Sequence, residues 1–151
     1  MKAFIIYDSR YGNTEQIAQA ISDGLTGDVN VVRASDVDPS KLKTCDLLIL
    51  GSPTHGGLPM EGVYNLLKTP LALEGVSVAA FDTRTKWSLF GYAAPKIAKG
   101  LQRNGGTLIV PPEGFLVLGM HGPLKDGELE RAKKWAQHLS LTLEVPSTSA
   151  S

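Results

Sequence analysis

The N-terminal stretch is the part of this sequence that most limits the folds open to the chain. Lys2–Tyr7 has the length and composition of a β-strand, and the loop Asp8–Thr14 after it carries hydroxyls, an amide and a glycine. A helical apolar periodicity begins at Ile17. We expect Asn13 to cap this helix and Gln16, at its third position, to complete a capping box. The stretch therefore predicts a strand, a tight loop and a helix N-terminus.

A helix N-terminus of this kind suits a bound phosphate, because its first N–H groups lack intrahelical partners and carry a partial positive charge. Ser9, Asn13 and Thr14 would add side-chain donors, and Gly12 would let the backbone come close. The loop lacks the three spaced glycines that bind dinucleotides and the Gly-Lys-Ser/Thr of a nucleotide P-loop, which disfavours NAD, ATP and GTP. The alternative interpretation is an ordinary turn between strand and helix, capped by its own hydroxyls.

Strand and helix patterns alternate along the rest of the chain. The further segments that read as strands are 28–33, 45–50, 76–81 and an interrupted fifth strand, 107–110 and 114–117, split by two prolines. The further helical patterns run from about residue 59 to 67, around 94–101, and from 127 to 143. We expect the core stripe of the last helix to comprise Leu129, Ala132, Trp135, Ala136 and Leu139. This alternation predicts an α/β fold with a doubly wound parallel sheet of five strands.

Composition indicates an ordinary globular chain of one domain, residues 1–144, with 145–151 as a disordered tail. Of the 151 residues 42% are apolar, and 15 basic residues balance 15 acidic ones, so no charge argument favours nucleic acid or a membrane surface. The single cysteine, Cys45, allows no internal disulfide, is expected to be inert packing, and predicts a cytoplasmic location. His55, His121 and His138 share no metal-ligand spacing.

The first loop carries a specific resemblance. Ser9-Arg10-Tyr11-Gly12-Asn13-Thr14 resembles the phosphate loop of flavodoxins, and the likeness extends over roughly residues 2–143. The resemblance implies a short-chain flavodoxin-like protein with strand order 2-1-3-4-5 and its ligand crevice at the carboxyl ends of strands 1 and 3. It also implies FMN as the cofactor, with residues 9–14 around its phosphate.

The middle loop resembles the flavodoxin loop that follows one edge of the flavin ring. Its counterpart residues are Pro53, Thr54, His55, Gly56 and Gly57. In that family a glycine peptide flips when the flavin is reduced, and a glycine adopts both backbone conformations at little cost. The alternative interpretation is a plain flexible turn with the imidazole in solvent.

The third loop resembles the second ring-flanking loop of the family and supplies Asp82, Thr83, Arg84 and Trp87. Trp87 is the candidate for stacking on the ring, with Phe90 and Tyr92 as alternatives, although it could instead anchor the core. Flavodoxin loops tend to be acidic here, so Arg84 and Lys86 predict a less negative potential for the fully reduced flavin.

Three functions remain open at this point. The first is an FMN-binding electron carrier that docks redox partner proteins at the flavin edge, without nucleic acid or membrane. The second is an NAD(P)H-dependent FMN enzyme that reduces quinones or azo dyes, and the third is a flavin-free interaction module. Fold alone cannot separate them, but the three loops favour a redox carrier over an enzyme that turns over substrate.

Overall fold

The computed structural model describes residues 1–144, so the predicted tail 145–151 lies outside the described residues. The strands are β1 (Lys2–Tyr7), β2 (Asp28–Arg33), β3 (Leu47–His55), β4 (Leu58–Pro59), β5 (Ser77–Arg84), β6 (Thr107–Leu108) and β7 (Glu113–Leu116). The helices are α1 (Asn13–Gly24), α2 (Glu61–Lys68), α3 (Ala93–Arg103) and α4 (Glu128–Glu144). Two short 3-10 helices, Ala34–Asp36 and Pro39–Thr44, lie between β2 and β3.

The strands form one sheet in the order β2-β1-β3-β5-β6, with parallel pairing along this path. β7 also pairs in parallel with β5. It pairs with the carboxyl-terminal part of β5, Phe81–Arg84, whereas β6 pairs with the start of that strand. The predicted doubly wound parallel sheet and its order 2-1-3-4-5 are therefore confirmed, with β6 and β7 as the two parts of the interrupted fifth strand. The short β4 was not predicted, and it pairs antiparallel with the end of β3.

Both faces of the sheet are buried, because successive residues of the central strands point to opposite sides. Ile6, Leu48 and Leu50 belong to one core cluster, which α2 and α3 cover. Ile5 and Ile49 belong to the other, which α1 and α4 cover. This layering leaves the carboxyl ends of the strands as the uncovered edge at which a ligand site can form.

Three predictions about packing have different outcomes. Leu129 is 44% exposed, so its place in the core stripe of α4 was wrong. Trp135 is partly buried and packs edge-on against Phe81 and Phe115, with ring centroids 6.3 and 6.0 Å away. Cys45 is buried, and burial raises the pKa of its thiol, which suits the inert packing role.

Two strands extend beyond the apolar runs that predicted them. β3 continues to His55 and β5 to Arg84. The parallel pairing of the two backbones extends past the apolar residues, with Ser52 opposite Asp82 and Pro53 opposite Thr83. The second and third site segments therefore begin on the sheet itself rather than in free loops. None of the described helices is both long and apolar enough to cross a membrane.

Candidate cofactor-binding site

An open cleft of about 400 Å³ lies at the carboxyl ends of β1, β3 and β5. This volume is within the range of small-molecule sites. Every predicted site residue lines it except Gly12, Gly57 and Asp82. The predicted residues that line it are Ser9, Arg10, Tyr11, Asn13, Thr14, Pro53, Thr54, His55, Gly56, Thr83, Arg84 and Trp87. The three segments singled out in the sequence thus meet at one place.

The first loop is held in a tight turn by hydrogen bonds within the loop and to the neighbouring strands. Gly12 precedes α1 with φ +90°, and its N–H donates to the Ser9 hydroxyl at 3.1 Å. The Ser9 carbonyl accepts from the Arg33 guanidinium on β2 at 3.0 Å. The hydroxyls of Thr14 and Thr83 lie 2.8 Å apart and join the first loop to β5. These contacts fix the N-terminus of α1 at the cleft.

The predicted capping box of α1 was wrong. The residue before the helix is Gly12, which has no capping side chain, and Asn13 is already helical. A side chain in the first helical position cannot reach back to the N–H groups that a cap satisfies. Asn13 instead donates its side-chain amide to the His121 carbonyl at 3.3 Å, and the Gln16 N–H bonds the Gly12 carbonyl. Asn13 therefore joins the first loop to the segment after β7.

The two glycines of the middle loop have different surroundings. Gly56 has φ +57°, and a Cβ added there would meet no atom within 4 Å. Gly57 has φ +79°, and a Cβ there would lie 2.2 Å from the Phe90 carbonyl oxygen. The Lys96 ammonium donates to the carbonyls of Gly57 and Phe90 and so ties the two ring-flanking segments together. Gly56 remains at the cleft wall, whereas Gly57 allows the two backbones to approach.

His55 forms part of the cleft wall directly before these glycines. Partial burial lowers the pKa of its imidazole, and the positive charge of Arg10 lowers it further. The side chain is half-buried, so the alternative of an imidazole free in solvent does not describe it. A neutral imidazole is favoured at this wall.

Asp82 and Arg84 form a clamp below the third loop. Asp82 is fully buried, and the Arg84 guanidinium donates to both of its carboxylate oxygens at 2.7 Å. The same carboxylate accepts the Ala94 N–H of α3 at 2.8 Å. The guanidinium also lies 3.7 Å from the ring centre of Tyr92. Asp82 is therefore beneath the cleft rather than in its wall, and Arg84 brings a compensated charge to it.

Trp87 is 84% exposed, so the alternative of a core anchor was wrong. Phe90 also lines the cleft, while Tyr92 is held against Arg84 and does not. The sequence prediction missed further residues of the wall. They are Thr85, Ser88 and Leu89 of the third loop, and Val117 and Met120 after β7. The last two could have been expected, because the carboxyl end of the fifth strand lies at the same edge of the sheet.

The chemistry of the cleft fits a flavin mononucleotide. Hydroxyls and a helix N-terminus, which are neutral donors, stand at one end together with the cation of Arg10, and aromatic side chains stand in the third loop. No carboxylate occurs among the described residues that line it, which suits a phosphate dianion. The described residues contain no cluster of histidine, cysteine or carboxylate side chains that could hold a metal ion.

Comparison with known proteins assigns the family. The protein-family model for flavodoxin matches residues 5–135. The probable flavodoxin 1 of Bacillus subtilis is 36% identical over 89 residues, 54% of this chain and 56% of that protein. The flavodoxin of Clostridium beijerinckii is 40% identical over 60 residues, 38% of this chain and 44% of that protein. The matches thus span about half the length of these curated relatives.

The fold comparison covers more of the chain. A solved flavodoxin from the domain Archaea superposes with a TM-score of 0.81 at 26% identity, over 96% of this chain and 100% of that one. Oxidised flavodoxin 1 from Bacillus cereus gives a TM-score of 0.77 at 20% identity, over 90% and 95%. With a family match across most of the sequence, the protein belongs to the flavodoxin family, whose members bind FMN.

Proposed function

We propose that this protein binds FMN in the cleft and carries single electrons between redox proteins. The observation that supports this most is the meeting of three separate segments, 9–14, 53–56 and 83–90, in one open cleft of about 400 Å³. One segment offers hydrogen-bond donors for a phosphate, and the other two offer polar backbone and aromatic surface. A chain that used the fold only for protein interactions would have no need of this combination.

The phosphate would be held by the N-terminus of α1. The first N–H groups of the helix have no intrahelical acceptor, and the hydroxyls of Ser9 and Thr14 stand beside them. Thr14 is only 1% exposed, so a hydrogen bond from it is shielded from water. Arg10 is exposed at the same end of the cleft and adds a positive charge.

The flavin ring would lie between the other two segments. FMN supplies reversible transfer of one electron at a time when it is bound. The wall from Thr54 to Gly56 offers backbone polar groups, and a Cβ added at Gly56 would meet no atom within 4 Å. Trp87 and Phe90 offer aromatic faces. Lys96 holds the two segments at a fixed separation through their carbonyls.

Redox partner proteins would dock where the cleft opens, among residues 54–60 and 84–92. We also propose a cytoplasmic location, because the single cysteine is buried and has no disulfide partner.

The visible spectrum of the purified protein tests the proposal. We expect flavin absorption bands and, after heat release, a cofactor with the mass of FMN. A colourless protein that takes up no added FMN would refute the proposal in favour of the interaction module. Recovery of FAD would contradict the choice of cofactor. Bleaching by NADPH without an added reductase would indicate the reductase alternative.

A further inference from the structure

The loop 117–124, which follows β7, packs against the first loop of the cofactor site. Its two ends are paired with each other. Val117 forms an antiparallel bridge with Leu124, and the Leu118 N–H donates to the Pro123 carbonyl at 2.9 Å. The loop 117–124 therefore has a fixed base, and its tip reaches from the fifth strand to the N-terminus of α1.

Three contacts join this tip to the first loop. The Asn13 side-chain amide donates to the His121 carbonyl at 3.3 Å. The rings of Tyr11 and His121 are stacked at a tilt of 41°, with their centroids 4.2 Å apart. Gly122 has φ +98°, and a Cβ added there would lie 2.7 Å from both the nitrogen and the oxygen of the Asn13 amide. Two neighbouring residues of the tip thus meet two residues of the segment 9–14.

Gly122 is the residue of the tip at which no side chain fits beside Asn13. The atoms that a Cβ would meet belong to the end of a side chain and not to the backbone, so the Asn13 amide would move away from His121. Gly127 has nearly the same backbone conformation, φ +90°, but no atom of the described residues lies within 4 Å of a Cβ there. A comparison of the two glycines therefore separates the displacement of Asn13 from the strain of a left-handed backbone.

The contact with His121 holds a cleft residue in one orientation. Asn13 lines the cleft, is the first residue of α1 and is buried. A carbonyl accepts only from the nitrogen of an amide, so the bond to His121 fixes which side of the Asn13 amide carries its N–H groups. A donor that is already ordered loses less conformational freedom when a ligand binds. The contact therefore prearranges the end of the cleft at which the phosphate is proposed to bind.

The two ring-flanking segments are held by other contacts. The Ala93 N–H of α3 donates to the Thr54 hydroxyl at 3.0 Å. The Lys96 ammonium donates to the carbonyls of Gly57 and Phe90. A change at the tip of the loop 117–124 should therefore leave these contacts in place.

We propose that the loop 117–124 positions the phosphate end of the cofactor site, and that its tip thereby favours FMN over riboflavin, the same flavin without the phosphate. The inference rests on the proposed binding of FMN in the cleft. His121 and Gly122 are positioning residues in this proposal, because they act through Tyr11 and Asn13. Since the ring-flanking segments are held separately, the tip contributes to the affinity only when the ligand carries a phosphate.

The affinities of the full chain for FMN and for riboflavin, measured by flavin fluorescence, test the proposal. We expect Gly122→Ala to weaken FMN binding about tenfold and riboflavin binding less than about twofold, because only FMN has a charged group for the Asn13 amide to bind. Gly127→Ala should change neither affinity by more than about twofold, because it displaces no side chain. Urea unfolding checks that both variants are folded in the binding assay.

A double variant tests whether the effect of Gly122 passes through Asn13. Asn13→Ala alone should weaken FMN binding about tenfold and leave riboflavin binding nearly unchanged. Adding Gly122→Ala to Asn13→Ala should weaken FMN binding by less than a further factor of about two, because no amide is left to displace. Additive losses would show that Gly122 acts by another route and would overturn the proposal.

The contact itself can be measured without a flavin. In nitrogen-15 NMR spectra of the flavin-free chain, Gly122→Ala should shift the side-chain amide signals of Asn13, and Gly127→Ala should leave them in place. Unshifted signals in Gly122→Ala would contradict the contact on which the proposal depends.

Two binding results would also overturn the proposal. One is an unchanged FMN affinity in Gly122→Ala. The other is an equal loss of FMN and riboflavin, which would mean that the loop acts on the rest of the flavin through Val117 and Met120, which line the cleft. In both cases the wild-type chain still binds FMN and the proposed function stands. A wild-type chain that binds neither flavin would refute the proposed function and this inference with it.

Discussion

The clamp of Asp82 and Arg84 should contribute strongly to stability. Asp82 is 0% exposed and accepts three hydrogen bonds, two from Arg84 at 2.7 Å and one from the Ala94 N–H at 2.8 Å. Removing one partner of a buried ion pair costs about 3–5 kcal/mol, because the other charge is left uncompensated. Arg84 is 20% exposed and can recover some hydration, and Asp82→Asn keeps one oxygen for Ala94. We therefore expect Asp82→Asn to lower the free energy of unfolding by about 2–3 kcal/mol.

Urea unfolding measures this loss, at one FMN concentration throughout because ligand binding adds its own stability. Arg84→Gln should cost a comparable amount, since it leaves Asp82 buried without its cation. The double variant should cost less than the sum of the single ones by at least about 1 kcal/mol, because neither charge is then left alone.

A second ion pair in the same chain provides the control. Glu113 and Arg131 are 2.7 Å apart, but their side chains are 35% and 40% exposed. Glu113→Gln should therefore cost less than about 1 kcal/mol. If Asp82→Asn costs no more than Glu113→Gln, or if the Asp82 and Arg84 substitutions are additive, the clamp does not act as described.

Three further predictions concern single positions. Thr14→Val should weaken FMN binding by on the order of 1–2 kcal/mol, measured by flavin fluorescence, because it removes a shielded hydroxyl. Gly57→Ala should lower stability by about 2–4 kcal/mol and Gly56→Ala by about 1 kcal/mol in urea unfolding, because only the former places a Cβ against a carbonyl. Hydrogen bonds from Arg131 lower the pKa of Glu128. The charged form therefore stabilises the fold above the ordinary value of 4.5, and the cost of Glu128→Gln, about 1.5–3 kcal/mol at pH 7, should shrink as pH falls below that value.

Each of these predictions has a result that would contradict it. Unchanged affinity in Thr14→Val would place the phosphate away from α1. Equal losses at the two glycines would show that backbone conformation, and not the contact with the Phe90 carbonyl, sets the cost. A cost of Glu128→Gln that is the same at pH 3.5 and pH 7, on either side of the ordinary value of 4.5, would show that its charge is not involved.

The fold could be predicted from the sequence because a parallel sheet that is buried on both faces requires continuous apolar runs in its strands. Runs such as Leu47–Leu50 are continuously apolar, and in the helices between such runs an apolar residue recurs every three to four positions. The ends of the strands have no such apolar pattern. Thr54 and Thr83 are polar, yet they continue β3 and β5 because their backbones pair with neighbouring strands. Residues expected in loops are thus held on the sheet.

The segments of the site could be predicted because the ends of parallel strands meet at one edge, whatever their side chains. The partners of individual side chains could not. Asn13 has the residue type of a helix cap, but the left-handed Gly12 makes Asn13 the first helical residue and turns its amide to His121. That bond joins residues 108 positions apart, and local sequence patterns cannot predict contacts between residues so distant in the chain.

The same limit applies to charge. In the sequence Arg84 and Lys86 are two equivalent cations of one loop, and together they predict a less negative flavin potential. In the structure Arg84 has a carboxylate at 2.7 Å, so at a distance the pair acts as a dipole whose field falls off faster than that of a single charge. Lys86 is exposed and retains its full charge, although salt screens an exposed charge strongly. Of the two cations, Lys86 is then the one expected to act on the potential, and the predicted shift becomes smaller and sensitive to ionic strength.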